Sequence, residues 1–232
     1  MSVNITAGLP QTLDETNPSI TLGAEYVTPD GRKYRYARAG AAALVVGNVV
    51  QAPAQVTGDQ NLAFAAAALG ATTVTTTSTV TVTANQYAGG YVTVTVTPDL
   101  GKSYKIKSHP AATAGTLVLT LETGLLVAWT TATRADLVAN PWNGVIICAT
   151  SPTAAPMGVA ANDLAINGYG WIQTYGPCNV LADSAGATVG TEVSISNATA
   201  GAVEAFVSGQ QVIGRALTGI AASENGMIFL NI

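Results

Sequence analysis

The chain has 232 residues and a formal net charge of −4; 48% of its residues are hydrophobic and only 9% are charged. This balance excludes an intrinsically disordered chain, which is typically highly charged and poor in apolar residues. The acidic excess gives no general attraction to nucleic acid or to an anionic membrane. The apolar residues are mostly Ala and Val, and with the abundant Thr and Gly they favour strands and turns.

Residues 1–23 mix Pro, Asn, Thr and Gly with isolated Ile and Leu and show no sustained period, which predicts an extended N-terminal arm. No basic stretch precedes an apolar run here, so no secretory signal is expected, and the sequons at Asn4 and Asn197 carry little weight. The longest uncharged stretches are interrupted every few residues by Gly, Pro, Asn, Gln or Thr. No membrane-spanning segment is therefore expected.

A hairpin is predicted directly after the arm. Glu25-Tyr26-Val27 leads into Pro29-Asp30-Gly31, a type I turn signal. In the return strand, Tyr34 and Tyr36 alternate with basic residues. Because successive side chains of a strand point to opposite faces, this hairpin has one aromatic and one basic face.

Further strands are predicted where β-branched and apolar residues recur between Gly, Pro and Asn. They are 44–50, 104–107, 116–121, 125–130, 144–149, 170–174, 192–196, 211–217 and 227–232. A second hairpin is predicted to join Val80 and Val82 to 92–96, and an Asn225-Gly226 turn is predicted before the last strand. The Ala-rich segment 62–69 fits either a helix or a strand, and 133–136 resembles a capping box and predicts one helical turn.

Two short segments of the chain have similar sequences, and this similarity bears on the domain layout. Val46-Gly47-Asn48-Val49 resembles Val189-Gly190-Thr191-Glu192-Val193. It fits a β-barrel formed by 24–56 together with 157–232, into which a Thr-rich β domain, 57–156, is inserted. Two sequential β domains, 24–150 and 151–232, are the alternative. The predicted fold class is all-β, with small β-barrel or sandwich modules and an extended N-terminal arm.

The sequence offers few titratable groups that could converge on one pocket. The single histidine, His109, precedes Pro110 and is expected in a turn or on the surface, and no Gly-x-Ser-x-Gly, His-Glu-x-x-His or Cys-x-x-Cys motif occurs. No Gly-rich loop leads into a phosphate-binding helix. We therefore predict no catalytic residue, no metal site and no cofactor, and a protein that is not an enzyme. Cys148 and Cys178 are expected to be buried free thiols, although a bridge stays open.

Two basic clusters are candidate contact sites. Arg32, Lys33, Arg35 and Arg38 form the first, and lysines 102, 105 and 107 form the second. Each fits either the solvated face of an edge strand or a contact with an acidic partner surface. Trp171 fits a core residue or an interface anchor, and the interleaved tyrosines fit a core better than nucleic-acid stacking. The candidate interface residues are Arg32, Lys33, Tyr34, Arg35, Tyr36, Arg38 and Trp171.

Four phrases of the chain resemble structural proteins of tailed bacteriophages. They are Asn85-Gln86-Tyr87-Ala88-Gly89-Gly90-Tyr91, Tyr104-Lys105-Ile106-Lys107-Ser108-His109-Pro110, Asn140-Pro141-Trp142-Asn143-Gly144-Val145-Ile146-Ile147 and Gly170-Trp171-Ile172-Gln173-Thr174-Tyr175-Gly176-Pro177. The segment 158–232 also resembles the small β-barrel of phage capsid decoration, or cement, proteins, with a Val-Gly-x-x-Val step and an Ile213-Gly214-Arg215-Ala216 strand. The long Thr-rich middle departs from that short barrel.

The resemblance implies a virion structural protein that is made in the cytoplasm of a host bacterium and is located on the capsid surface. Its expected partners are the lattice of the major capsid protein and further copies of itself, commonly as a homotrimer, with no nucleic acid and no membrane. It brings no catalytic residues. A receptor- or glycan-binding virion spike and a tail or connector component are the alternatives.

Overall fold

The computed structural model describes residues 9–12, 14–16, 18 and 20–232. In this part of the chain, eighteen β-strands are accompanied by two short 3-10 helices, Leu9–Gln11 and Thr57–Asp59. The predicted all-β fold is confirmed. Residues 1–8, 13, 17 and 19 of the predicted arm lie outside the described residues.

The strands are numbered in chain order. The first nine are β1 Glu25–Val27, β2 Lys33–Ala39, β3 Val49–Gln51, β4 Leu62–Ala63, β5 Thr73–Thr77, β6 Thr81–Val82, β7 Tyr91–Val94, β8 Ser103–Ser108 and β9 Ala112–Thr113. The others are β10 Thr116–Leu121, β11 Arg134–Val138, β12 Asn143–Ile147, β13 Pro156–Ala160, β14 Tyr169–Leu181, β15 Glu192–Ile195, β16 Val203–Ala205, β17 Val212–Ala216 and β18 Asn225–Asn231.

The chain divides into two compact units. Unit 1 comprises Met1–Ala54 and Pro141–Ile232, and unit 2 comprises Gln55–Asn140. The predicted insert, 57–156, is longer than unit 2. Its last part belongs to unit 1, because β12 pairs with β2 and β3. Unit 1 is thus built from two separate stretches of chain, unlike either domain of the sequential alternative.

Unit 1 contains a closed ring of five strands. β2 pairs with β12, β12 with β3, β3 with β13, β13 with β14, and β14 returns to β2. Only the β2–β12 pair is parallel. A small apolar core that includes Val50, Val145 and Ile172 belongs to these strands. Closure leaves this ring without a free sheet edge, which removes a site for unwanted strand pairing.

A second ring of unit 1 uses the other half of β14. Residues 175–181 of β14 pair with β18, followed by β17, β15 and β16. A bridge between Ala182 and Val203 brings β16 back to the end of β14. The larger core of unit 1, with Val193, Ile213 and Ile228 among its buried residues, belongs to this ring.

Unit 2 is a six-stranded barrel. Its strand order is β4-β11-β7-β8-β10-β5, and a bridge between Phe64 and Thr76 joins the β4 segment to β5. Strands β6 and β9 form a separate two-stranded sheet. In β10 the inward residues Leu117, Leu119 and Leu121 alternate with partly or fully exposed ones, so the period-two pattern creates the core.

One backbone motif recurs as reciprocal hydrogen-bonded pairs. Leu44 and Leu164 exchange N–H to C=O bonds of 2.9 and 3.0 Å, and Ala187 and Ile220 do the same at 3.0 and 2.8 Å. A turn follows each of these four bonded residues, and each turn contains one residue in the left-handed conformation. The φ angles of these residues are +83° at Gly47, +61° at Asn167, +81° at Gly190 and +58° at Ser223. The two similar sequence segments, around Gly47 and Gly190, therefore form equivalent turns in the two rings of unit 1.

Several local predictions are confirmed. β1 and β2 form the predicted hairpin, with Glu25 opposite Arg35, and β8, β10, β12, β14, β15, β17 and β18 overlap the strands expected for them. Segment 62–69 is extended rather than helical, with β4 at its start and an isolated bridge at Ala67.

Other local predictions are wrong. β6 and β7 do not form a hairpin, because β6 pairs with β9 and β7 pairs with β8 and β11. The predicted helical turn at 133–136 is absent, because residues 134–136 lie in β11, where Ala135 and Leu137 alternate into the core and override the capping pattern. Asn225-Gly226 begins β18 and the turn lies at 222–223, while 44–50 and 125–130 are mostly irregular.

Gly158→Ala is expected to destabilise unit 1 much more than Gly190→Ala. Both glycines have a positive φ, +142° and +81°, so alanine costs about 1–3 kcal/mol of backbone strain at each. At Gly158 a Cβ would also lie 2.2 Å from the Gln173 carbonyl oxygen, whereas at Gly190 nothing lies within 4 Å. Differential scanning calorimetry should show the larger fall in melting temperature for Gly158→Ala. Equal falls would contradict this role of Gly158 in the β13–β14 pair.

Candidate assembly surface

The basic hairpin of unit 1 carries most of its charges in local pairs. The Arg32 guanidinium lies 2.8 Å from Asp30, and that of Arg35 lies 2.9 Å from Glu25. The hydrogen bond from the Thr28 hydroxyl, supported by Arg32, lowers the pKa of Asp30. These pairs are solvent-accessible, so each contributes little to stability. Their main effect is to hold the guanidinium groups in fixed positions.

Arg38 is held by amides rather than by carboxylates. Its guanidinium donates to the side-chain oxygens of Asn167 at 2.6 Å and of Asn143 at 3.3 Å. These amides orient the guanidinium without neutralising it. Arg38 therefore keeps its full positive charge at the junction of β2, β12 and β14.

Lys33 is placed over an aromatic ring rather than beside a carboxylate. Its ammonium lies 5.3 Å from the centre of the Tyr175 ring, and among the described residues no carboxylate lies within 4.0 Å of it. A cation over an aromatic face is attracted by the ring quadrupole, but it keeps its net charge. Lys33 is consequently available to an acidic partner group.

The three aromatic residues proposed as contact residues are buried. Tyr34, Tyr36 and Trp171 are at most 1% exposed and pack with Tyr26 in one cluster. The Trp171 ring lies 5.4 Å from that of Tyr36, at an angle of 68°. The alternation of β2 turns both tyrosines inward and leaves Lys33 and Arg35 on the outer face. The predicted contact surface is therefore reduced to its basic residues.

A groove of about 450 Å³ lies beside these basic residues in unit 1. The charged side chains at its wall are Glu25, Lys33 and Arg35, and its aromatic residues are Trp142 and Tyr175. This size and mixture of groups fit a short peptide segment or a small sugar. The groove brings Lys33 and Arg35 of the predicted basic hairpin together with Trp142 and Tyr175, and a second pocket of unit 1 lies on the same hairpin beside Arg32 and Tyr34.

The second basic cluster lies in unit 2, with Lys102 just before β8 and the other two lysines on it. Its residues Lys105 and Lys107 are exposed on alternate positions of that strand. Lys105 forms an ion pair of 3.2 Å with Glu122. This arrangement is typical of a solvated strand face and gives no specific support to a contact with an acidic partner surface.

Buried carboxylates of unit 2 are bound by neighbouring side chains. Asp99 accepts hydrogen bonds from the Tyr104 hydroxyl at 2.5 Å and from the Trp129 indole N–H at 2.9 Å. Asp59 accepts from Ser78 at 2.6 Å and from Tyr87 at 2.5 Å. Burial, reinforced by the adjacent carboxylates, raises the pKa of both tyrosines. These networks are occluded, so their evident role is to fix loops.

Sequence reasoning missed these networks, because their partners are up to 30 residues apart and no local pattern joins them. It also placed His109 in a turn or on the surface; this residue does lie in a loop after β8, but it is buried, with only 4% of its surface exposed. The Tyr87 backbone N–H donates to His109 Nε2 at 2.9 Å, so Nδ1 carries the proton and donates to the Pro110 carbonyl at 2.8 Å. Both ring nitrogens are thus used in holding the loop.

Within the described residues, no three His, Cys, Asp or Glu side chains are grouped so that they could hold a metal ion. The two cysteines are free and buried. Burial raises the pKa of Cys148 to about 11 and that of Cys178 to about 12. None of the described helices is long and apolar enough to cross a bilayer.

Compared with models of protein families, with curated proteins and with solved structures, the chain matches none.

Tyr104→Phe is expected to destabilise unit 2 by about 1–3 kcal/mol, because it deprives buried Asp99 and the Leu126 N–H of a partner. Tyr91→Phe is the matched control, since Tyr91 is 40% exposed on the same barrel. Hydrogen-exchange mass spectrometry should show faster exchange across β8 and β10 for Tyr104→Phe alone. The same protection in both variants would contradict a stabilising role of the Asp99 network.

Neither thiol is expected to react with a disulfide reagent at pH 8 while the protein is folded, and both should react in denaturant. The reason is that both are buried and ionise only well above their ordinary pKa of 9.0. Folding raises the pKa of Cys178, so the folded protein keeps this thiol protonated at pH values at which the unfolded chain ionises. The resulting contribution to the free energy of unfolding is complete below pH 9 and is lost as the pH rises towards 12. A spectrophotometric thiol count measures the reaction. A rapidly reacting thiol in the folded protein would contradict this burial.

Proposed function

We propose that this chain is a decoration protein on the outside of a tailed-phage capsid, where it stabilises the assembled shell by bridging capsomers. The resemblance of its sequence phrases to phage structural proteins supports the capsid as the partner. The groove of unit 1, with the uncompensated cation of Lys33 at its wall, is the observation that supports a specific contact. The proposed partner surface is acidic and belongs to the major capsid protein.

The proposed mechanism is thermodynamic linkage between binding of this protein and stability of the assembled shell. A subunit that binds the assembled shell but not its dissociated parts lowers the free energy of the shell. Self-association, as a homotrimer in the resembling proteins, multiplies this effect because the second and third contacts form at a high effective concentration. Rigid, closed β-rings suit such a role, since little conformational freedom is lost when they bind. No chemical step is needed.

The groove also favours a second candidate, a glycan-binding virion spike. Trp142 and Tyr175 offer aromatic surfaces, and Glu25, Arg35 and Asn231 offer donors and acceptors suited to hydroxyl groups. A tail or connector component is a further alternative from the resemblance, although no contact in unit 1 favours it. Binding to a glycan array, without binding to capsids, would support the spike.

The capsid proposal is tested on particles of the phage that encodes the chain. Cryo-electron microscopy should place unit 1 on the outer shell, and deletion of the gene should lower the temperature at which the shell releases its genome. Added back to stripped shells, Lys33→Glu should bind about tenfold more weakly, equivalent to about 1.4 kcal/mol. Lys33→Met, which keeps the alkyl stem on Tyr175, should have an intermediate effect.

Lys107→Glu is the control, because it makes the same charge change on an exposed strand of unit 2. Equal binding of Lys33→Glu and wild type would reject the groove as the contact. Density on the tail, or an unchanged release temperature after deletion, would reject the decoration role itself.

A further inference from the structure

Strand β1 is an end strand of its sheet, and its outer edge is open. Isolated bridges close the other ends of the two large sheets: Ala182 pairs with Val203 of β16, and Phe64 pairs with Thr76 between the β4 segment and β5. Among the described residues, β1 pairs with β2 alone. An open edge presents unpaired N–H and C=O groups, which are a template for a further strand.

The backbone groups on this edge belong to Glu25 and Val27. The Thr28 N–H donates to the Arg32 carbonyl at 2.9 Å, so Thr28 directs its backbone towards the return strand of the hairpin. In an antiparallel pair this direction alternates, and the N–H and C=O groups of Glu25 and Val27 therefore point away from β2. No backbone group of the described residues bonds them there, and Val27 is 48% exposed. The edge is thus accessible to a partner.

A pocket lies on each face of the same hairpin. Glu25 and Lys33 are at the wall of the groove of about 450 Å³, whereas Thr28 and Tyr34 are among the residues that line the second pocket, of about 250 Å³. Because successive side chains of a strand point to opposite faces, these odd-numbered and even-numbered residues place the two pockets on opposite faces of the β1–β2 hairpin. A strand added to β1 would direct alternate side chains towards each pocket.

We infer that β1 binds an extended peptide segment as an additional strand. The edge specifies its occupant, because N–H and C=O groups in extended geometry are matched by another extended backbone. In this mode of recognition main-chain hydrogen bonds supply affinity, and pockets for alternate side chains supply specificity. The inference deepens the proposed function and rests on it for the source of the segment, which is the major capsid protein.

The charge beside this edge favours an acidic side chain in the added strand. Val27 lies opposite Lys33, and Lys33 lies opposite Tyr175, so a residue paired with Val27 would continue this row. Its backbone would lie two strand spacings, about 10 Å, from that of Lys33, a distance that a Glu and a Lys side chain together span. Within the described residues no carboxylate lies within 4.0 Å of the Lys33 ammonium. An acidic side chain at this position would therefore pair with Lys33.

The first test titrates the full chain with a synthetic peptide by isothermal titration calorimetry. The probe is the capped peptide Thr-Val-Thr-Glu-Thr-Val-Thr, and a matched probe has Lys in place of the central Glu. Wild type should bind the Glu probe about fivefold more tightly than the Lys probe, and Lys33→Glu should reverse this preference. The Glu probe with N-methylated backbone amides should not bind, because it cannot donate hydrogen bonds to the edge.

The second test removes one outward N–H of the edge. Val27→Pro leaves the hydrogen bonds between β1 and β2 in place, and proline is accepted on edge strands. It should weaken binding of the Glu probe, and of the chain to stripped shells, about tenfold. Val27→Ala keeps the N–H and is the matched control, with a change of less than about threefold expected. Circular dichroism and the melting temperature identify a variant that has lost its fold, and the N-methylated probe then decides.

The two tests separate this inference from the proposed function. No binding of the Glu probe at millimolar concentration, equal binding of the N-methylated probe, or equal weakening by Val27→Pro and Val27→Ala would overturn the strand site, even if the chain decorates shells. Peptide binding that depends on the edge, by a chain that does not bind shells, would support the strand site and reject the capsid as the source of the segment.

Discussion

The hydrogen-bonded register of β14 is the constraint on which unit 1 depends. This strand of thirteen residues pairs with β2 and β13 along its first half and with β18 along its second half. Because side chains alternate with period two, the register places Ile172 in one core and Val180 in the other. Gly176, with a φ of +92°, lies where the strand passes from one ring to the next. A shift of one residue in this register would turn the inward side chains of β14 in both rings to the outer face.

Most of the buried carboxylate oxygens are hydrogen-bonded by groups that the rings bring together, whereas Asp99 Oδ1 and the Trp171 indole N–H are buried without a partner. Besides Asp59 and Asp99 of unit 2, Asp183 of unit 1 accepts a hydrogen bond of 2.7 Å from Ser196 and one of 2.8 Å from the Ala185 N–H. An unpaired buried carboxylate would cost several kcal/mol, so these bonds decide whether the loops can close over the cores. The buried carboxylates Asp59, Asp99 and Asp183 are therefore engaged in structure.

The basic hairpin of unit 1 combines two kinds of contact that suit assembly. Its groove offers Lys33 to an acidic group, while the outer edge of β1 offers the backbone groups of Glu25 and Val27 to an extended segment. The Tyr175 ring contacts both the Lys33 ammonium and the Phe229 ring. A decoration protein that binds a lattice in one orientation would use both kinds of contact, because charge attracts the partner and backbone pairing fixes its register.

The sequence by itself determined the all-β class, the β1–β2 hairpin and the strands with clear alternation, because period two and turn residues are local properties. It also indicated which side chains of β2 are charged and which are aromatic. Only the tertiary structure decided that Tyr34, Tyr36 and Trp171 are core residues, that β6 and β7 pair with other strands, and that Asp99 meets Trp129. These outcomes depend on long-range pairing, in which ring closure selects partners that no local pattern specifies.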